Sequence, residues 1–107
     1  MWNLPSKKEL SEVPEFYSSE SIGLQAKVVH MHFFIGGSDW YAVEYDEKSR
    51  TFFGFVILND DKQSAEWGYF SLDELASISV TGIEIDRDLY FGKPQVKNIE
   101  KIQACNV

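Results

Sequence analysis

Four apolar runs separated by short polar turns constrain this chain more than any other feature. Residues 27–35, 40–45, 51–58 and 66–70 each read as a strand. Between them lie Gly36-Gly37-Ser38-Asp39, Glu47-Lys48-Ser49-Arg50 and Asn59-Asp60-Asp61-Lys62. Connections this short leave no room for a crossover, so successive strands must pair antiparallel. In the first run, alternation puts Val29, Met31, Phe33 and Ile35 on one face and Val28, His30, His32 and Phe34 on the other.

Helix starts frame these strands. Ser6-Lys7-Lys8-Glu9 is a capping box that predicts a helix over 7–12. The run Glu66-Trp67-Gly68-Tyr69-Phe70 feeds directly into a second start, with Ser71 as cap, Glu74 three residues on, and Leu72 and Leu75 set to dock a helix over 72–77. Residues 78–85 predict a fifth strand or extended segment, and the tail after Pro94 one more short helix. Helices from the two ends are expected to cover one face of the sheet. The fold class is α+β. A four- to five-stranded antiparallel meander carries short helices at the N-terminus and after strand 4, in one domain over 1–107.

Aromatic residues make up 15% of the chain, enough to build a core at this length. The net charge of −7 is uneven: residues 39–88 hold twelve acidic side chains against four basic ones. That opposes direct binding to a nucleic-acid backbone, which needs clustered Lys and Arg. It permits a basic protein partner or a divalent metal, and it equally describes a solvated surface. Cys105 is the only cysteine, so no intrachain disulfide forms and a reducing cytoplasm is expected. The first residues lack the apolar core of a signal peptide, and no run is long enough to span a membrane.

A family resemblance rests on particular residues. They are Lys27 with Phe33-Phe34, Trp40-Tyr41 and Glu44; Phe53-Gly54-Phe55-Val56; Gly68-Tyr69-Phe70-Ser71-Leu72-Asp73-Glu74-Leu75; and Ile83-Glu84-Ile85-Asp86-Arg87-Asp88 with Phe91. Over roughly residues 5–91 this pattern resembles the DUF2958 family. Asp86 stands where the pattern favours Glu, and Trp67 where Leu is commoner. The resemblance implies a small bacterial protein, often carried on plasmids and other mobile elements, with no established activity.

Three groups of residues have the types that chemistry or binding needs. His30 and His32 share a strand face by alternation, and Glu44 on the next strand, or Asp39 at the turn, offers a third metal ligand. The plainer alternative is a pair of half-exposed strand histidines. Glu84, Asp86 and Asp88 surround Arg87. If Ile83 and Ile85 point inward, Glu84 and Asp86 share a face and can bind a cation, while Arg87 between acids more simply fixes a strand end by a salt bridge. Trp40-Tyr41 and Trp67-Gly68-Tyr69-Phe70 supply core rings and, where they face outward, interface anchors. No phosphate loop, dinucleotide fingerprint, nucleophile elbow or H-E-x-x-H motif occurs, and Cys105 has no neighbouring His in sequence to activate it.

The expected function is therefore a non-catalytic accessory protein, with no cofactor, that binds a protein partner as a monomer or homodimer. In its sharper form, carboxylates imitate DNA charge and occupy the basic cleft of a host defence nuclease or CRISPR complex. The residues expected to carry this are Asp60, Asp61, Trp67, Asp73, Glu74, Glu84, Asp86 and Asp88. The alternative is a metal-dependent, nuclease-like enzyme built on His30, His32 and Glu44.

Overall fold

The computed structural model describes residues 3–105 of the 107. Helix α1, Lys7–Ser11, is started by Ser6, whose hydroxyl accepts from Glu9 N while the Glu9 carboxylate accepts from Ser6 N. Strands β1 (Met31–Ile35), β2 (Ser38–Asp46), β3 (Thr51–Ile57) and β4 (Glu66–Ser71) form the expected antiparallel meander. Helix α2, Leu72–Ser77, follows β4 without a loop, capped by Ser71 Oγ, which accepts from Glu74 N at 3.2 Å. After Pro94 come a 3-10 turn, Val96–Asn98, and helix α3, Glu100–Gln103. Among the described residues, no helix is long and apolar enough to cross a membrane.

The fifth strand lies elsewhere than expected. Thr81 and Gly82 both adopt positive φ (50° and 82°), which folds the chain into a tight two-residue hairpin turn. Residues 79–84 thus make a separate hairpin of β5 (Ser79–Val80) and β6 (Ile83–Glu84). The strand that joins the main sheet is β7, Asp86–Arg87, paired with β1, so the sheet order is β4-β3-β2-β1-β7. Ile85 is fully buried but Ile83 is exposed on the hairpin, so the two do not point inward together.

Helices cover both faces of the sheet, not one. On the first face, Leu10 and Val13 from the N-terminal region and Leu72 and Leu75 of α2 pack on Met31, Phe33, Trp40, Ala42, Phe52 and Phe70. On the second, Val96, Ile99, Ile102 and Cys105 pack on Val29, Tyr41, Val43, Phe55 and Ile57. β2 is sandwiched between them and buried from Ser38 to Tyr45, as its unbroken apolar centre requires.

The alternation expected in the first run breaks at its start. His30 N donates to Ala42 O at 2.8 Å, although Met31 is the residue in register with Ala42. Val29 consequently packs on the second face while Met31 and Phe33 pack on the first. β2 shifts register against β3 between Ala42 and Glu44, making Val43 the extra residue of a bulge. Before the bulge, even-numbered residues face the first core; after it, Tyr45 does. At the same place Gly54 lies against β2 so closely that a Cβ there would sit 1.8 Å from Tyr41 O.

Candidate functional site

The bulge has a direct consequence for Glu44. Without the extra residue its carboxylate would enter the first apolar core. With it, Glu44 meets the segment 14–27, which leaves α1 and straps the second half of β2. Pro14 O accepts from Tyr45 N at 2.8 Å. Glu44 is 5% exposed, and its oxygens accept from Tyr17 N at 3.0 Å, Ser19 N at 3.2 Å and the Ser19 hydroxyl. Lys27, equally buried, donates to Ser19 O at 2.6 Å and Ser19 Oγ at 3.0 Å. A buried lysine and a buried glutamate are thus joined through one serine, each with its hydrogen-bonding groups engaged. The Ser19 hydroxyl is committed to Glu44 and buried, so it is a strut of the strap and not a nucleophile facing solvent. The same contacts hold Tyr17 at φ 66°, a left-handed conformation that turns its ring outward.

Beside this strut the second face of the sheet is open. The C-terminal elements cover β1, β2 and part of β3. Phe53 and Tyr69 lie beyond them, and Trp67 sits at their margin, half-buried against the second core; ring centroids are 5.7 Å apart for Phe53–Trp67 and 5.2 Å for Phe53–Tyr69. Phe16 of the strap reaches Tyr69 at 5.4 Å. Tyr69 is 58% exposed and Tyr17 63%. Ile22, Leu24, Phe53 and Tyr69 line a groove of about 430 Å³ above Lys27 and Glu44. A second groove, about 370 Å³, runs along the other side of β4, with Val56, Leu58 and Gly68 as its floor and Asp61 and Glu66 on its rim. Gly68 leaves it open, since a Cβ there would meet nothing within 4 Å.

The expected binding residues do not share one surface. Asp60 and Asp61 lie in the loop after β3, where Asp60 N donates to Gly37 O of the β1–β2 turn at 2.8 Å; Trp67 lies on the β4 edge, and Asp73 and Glu74 follow it in the first turn of α2. Asp60 lies 3.7 Å from both Lys62 and Lys101, Asp61 accepts from Ser64 N, and Asp73 takes the Arg50 Nε at 3.0 Å. Glu84, Asp86 and Asp88 are at the opposite edge, on β6 and around β7. There Asp86 accepts from Asn3 Nδ2 at 2.6 Å, and Asp88 from Tyr90 N at 3.0 Å. Arg87 does bind a strand end in place, but through Glu9 of α1 at 2.8 and 3.2 Å, not through its neighbours in sequence. That Arg87 contact, with the Ser6 N–H, holds the Glu9 carboxyl down at about 2.

The proposed metal ligands do not converge. His32 Nε2 lies 2.7 Å from Asp39 Oδ1, and its ring stacks on Tyr41 at 4.5 Å. The other Asp39 oxygen takes Lys101 of α3. Burial pushes the Asp39 carboxyl up, but its hydrogen bonds to His32 and Lys101 outweigh that and leave it below the ordinary value. His30 instead lines a cleft with Glu12, Arg87, Asp88 and Lys93. Its Nδ1 is buried without a partner, and burial together with Lys93 depresses its pKa. Glu44 is taken up by the strap. Among the described residues, no three His, Cys, Asp or Glu side chains are grouped to hold a metal ion. Alternation alone paired the histidines, and the break at His30 separates them.

Sequence reasoning missed Ser19 and Lys101, whose carboxylate partners are 25 and 62 positions away, and gave Lys27 only as a marker of the resemblance. The one local hint was a lysine heading an apolar run at Ala26-Lys27-Val28. Cys105 is buried, and burial pushes its thiol up, away from nucleophile chemistry. In comparisons with known proteins, residues 11–99 match the model of one family, described as "Protein of unknown function (DUF2958)". No curated protein and no solved structure matches.

Proposed function

The chain belongs to the DUF2958 family, and from its surface we propose a non-catalytic accessory protein that binds a protein partner through the aromatic face beside β4. One observation carries the reading. Half-buried Phe53 and Trp67 and exposed Tyr69 form a ring cluster at the margin of the second core, with Tyr69 58% exposed and carboxylates at both ends of the strand. Exposed tyrosines over a shaped groove, here Tyr69 and Tyr17, are the usual anchors of protein interfaces.

The titratable groups support binding over catalysis. His32–Asp39–Lys101, Glu44–Ser19–Lys27 and Glu9–Arg87 are each closed on one another. Imitation of DNA would call for one continuous acidic face, whereas the expected acids are spread over the loop beside the β1–β2 turn, the start of α2, and the β6–β7 region. The favoured partner surface is therefore apolar with basic flanks, a complement to rings and carboxylates together. A mobile-element inhibitor acting as a monomer in the cytoplasm, where Cys105 stays reduced, is the biological setting we propose.

The test is site-directed photocrosslinking in cells. A photoreactive phenylalanine at Tyr69 or Trp67 is expected to trap a discrete partner, and one at Glu84 or Asp88 is not. Crosslinks confined to the Glu84 and Asp88 positions, or absent from all four, would overturn the reading.

A further inference from the structure

We infer that β4 takes up an extended segment of the partner as a sixth strand, in which a basic residue lies between two apolar ones. This rests on the reading of the β4 face as the binding surface and adds how the segment is held.

The backbone geometry comes first. β4 is an edge of the sheet, and among the described residues no strand pairs with its outer side. Leu72 N donates to Arg50 O at 2.9 Å, so that pair is hydrogen-bonded across β3–β4. Hydrogen-bonded and non-bonded pairs alternate in an antiparallel ladder. Counting back through the register, Phe70, Gly68 and Glu66 bond to β3, while Tyr69 and Trp67 turn their N–H and C=O groups outward. Two residues with free donors and acceptors on an edge of six are the template for strand addition.

Side chains then set the sequence of the guest. Residues placed opposite Trp67 and Tyr69 point to the same face as those rings, over the groove floored by Phe53, Ile22 and Leu24. They should be apolar. The residue between them, opposite Gly68, points to the other face. There it meets the groove floored by Val56 and Leu58 and rimmed by Asp61 and Glu66. An apolar floor with two carboxylates at the rim suits the stem and cationic head of Lys or Arg. Gly68 has no side chain, which is what leaves that room. A second copy of this chain fits less well. Antiparallel pairing centred on Gly68 would oppose glycine to glycine, leave the acid-rimmed groove without a cation, and join two chains of net charge −7.

The experiment titrates the ¹⁵N-labelled full chain with an end-blocked peptide, Thr-Lys-Val-Lys-Phe-Lys-Val-Lys-Thr, followed by amide exchange. Protection of the Trp67 and Tyr69 amides should rise at least about 10-fold on binding, with Gly68 and Phe70 little changed. N-methylation of alternate peptide bonds, or Glu in place of every Lys, should each weaken binding by about 10-fold or more. Gly68→Leu, whose Cβ meets nothing within 4 Å, occupies the groove and should weaken binding to the same extent without lowering the melting temperature. Three results would overturn the inference. One is no binding at about 1 mM peptide while a photoreactive group at Tyr69 still traps a partner, which leaves the binding function standing. A second is binding without protection of Trp67 and Tyr69. The third is a dimer by light scattering whose β4 amides are already protected. Loss of the Tyr69 crosslink itself would instead remove the function proposed above.

Discussion

Glu44 should be the residue on which the groove depends. Replacing it by Ala strips the Tyr17 N–H, the Ser19 N–H and the Ser19 hydroxyl of their acceptor, and leaves Lys27, 6% exposed, without the nearby negative charge. A buried donor left unsatisfied costs about 1–3 kcal/mol, and removing one member of a buried charge pair about 3–5 kcal/mol. These losses overlap, because one strap relaxes to relieve all of them, so the total expected is about 4 kcal/mol. For a domain of this size, 1 kcal/mol moves the melting temperature by about 4–8 °C, so Glu44→Ala should melt about 16–32 °C below the parent. Thermal and urea denaturation measure the global effect, and amide exchange at Tyr17 and Ser19 the local one. Glu44→Gln, which keeps one acceptor oxygen, should fall between the two. A Glu44→Ala protein melting within about 5 °C of the parent, with Tyr17 and Ser19 still protected, would refute the account of the strap.

Other outcomes follow from single sites. Gly54→Ala should destabilise by more than about 3 kcal/mol in urea unfolding, because the new Cβ meets Tyr41 O at 1.8 Å and the β2–β3 ladder must part. Gly68→Ala, in open space, should shift stability by less than about 1 kcal/mol. The Glu9 carboxyl is depressed from 4.5 to about 2, so its contribution is complete above 4.5 and disappears as pH falls through about 2. The urea midpoints of the parent and Glu9→Gln should converge over that window. His30 is depressed below 6.5, so the unfolded chain takes up its proton first and stability falls as pH drops below 6.5. His30→Gln should flatten that slope in a pH series of denaturation midpoints.

The meander was legible because each strand run is bounded by turn residues, and the helices because Ser6 and Ser71 announce them. Near neighbours in sequence carried those readings. The departures come from two one-residue effects that alternation cannot see. The break at His30 sent His30 and His32 to different surroundings, and the bulge at Val43 moved Glu44 from a notional metal site into the strap. Thr81-Gly82 was overlooked as a turn, which hid the β5–β6 hairpin and moved the fifth strand to Asp86–Arg87. At the candidate site, alternation offers Trp67 as an outward ring, and the packing of the C-terminal segment half-buries it. The scatter of the acids over separate parts of the surface depends on sheet order and long-range contacts such as Asp60 N to Gly37 O, which no local pattern encodes.

The arrangement of the two apolar cores also sets the order in which the chain can be completed during synthesis. β1 to β4 close through neighbouring hairpins, with short loops and little entropy to lose. The first core is sealed only when Arg87 meets Glu9 across 78 positions of sequence. The second needs Val96, Ile99 and Ile102, among the last residues described. A growing chain therefore closes the first face of β2 before the second, which stays bare until residues 96–102 join it. In that interval the half-covered sheet is the species most open to aggregation and proteolysis.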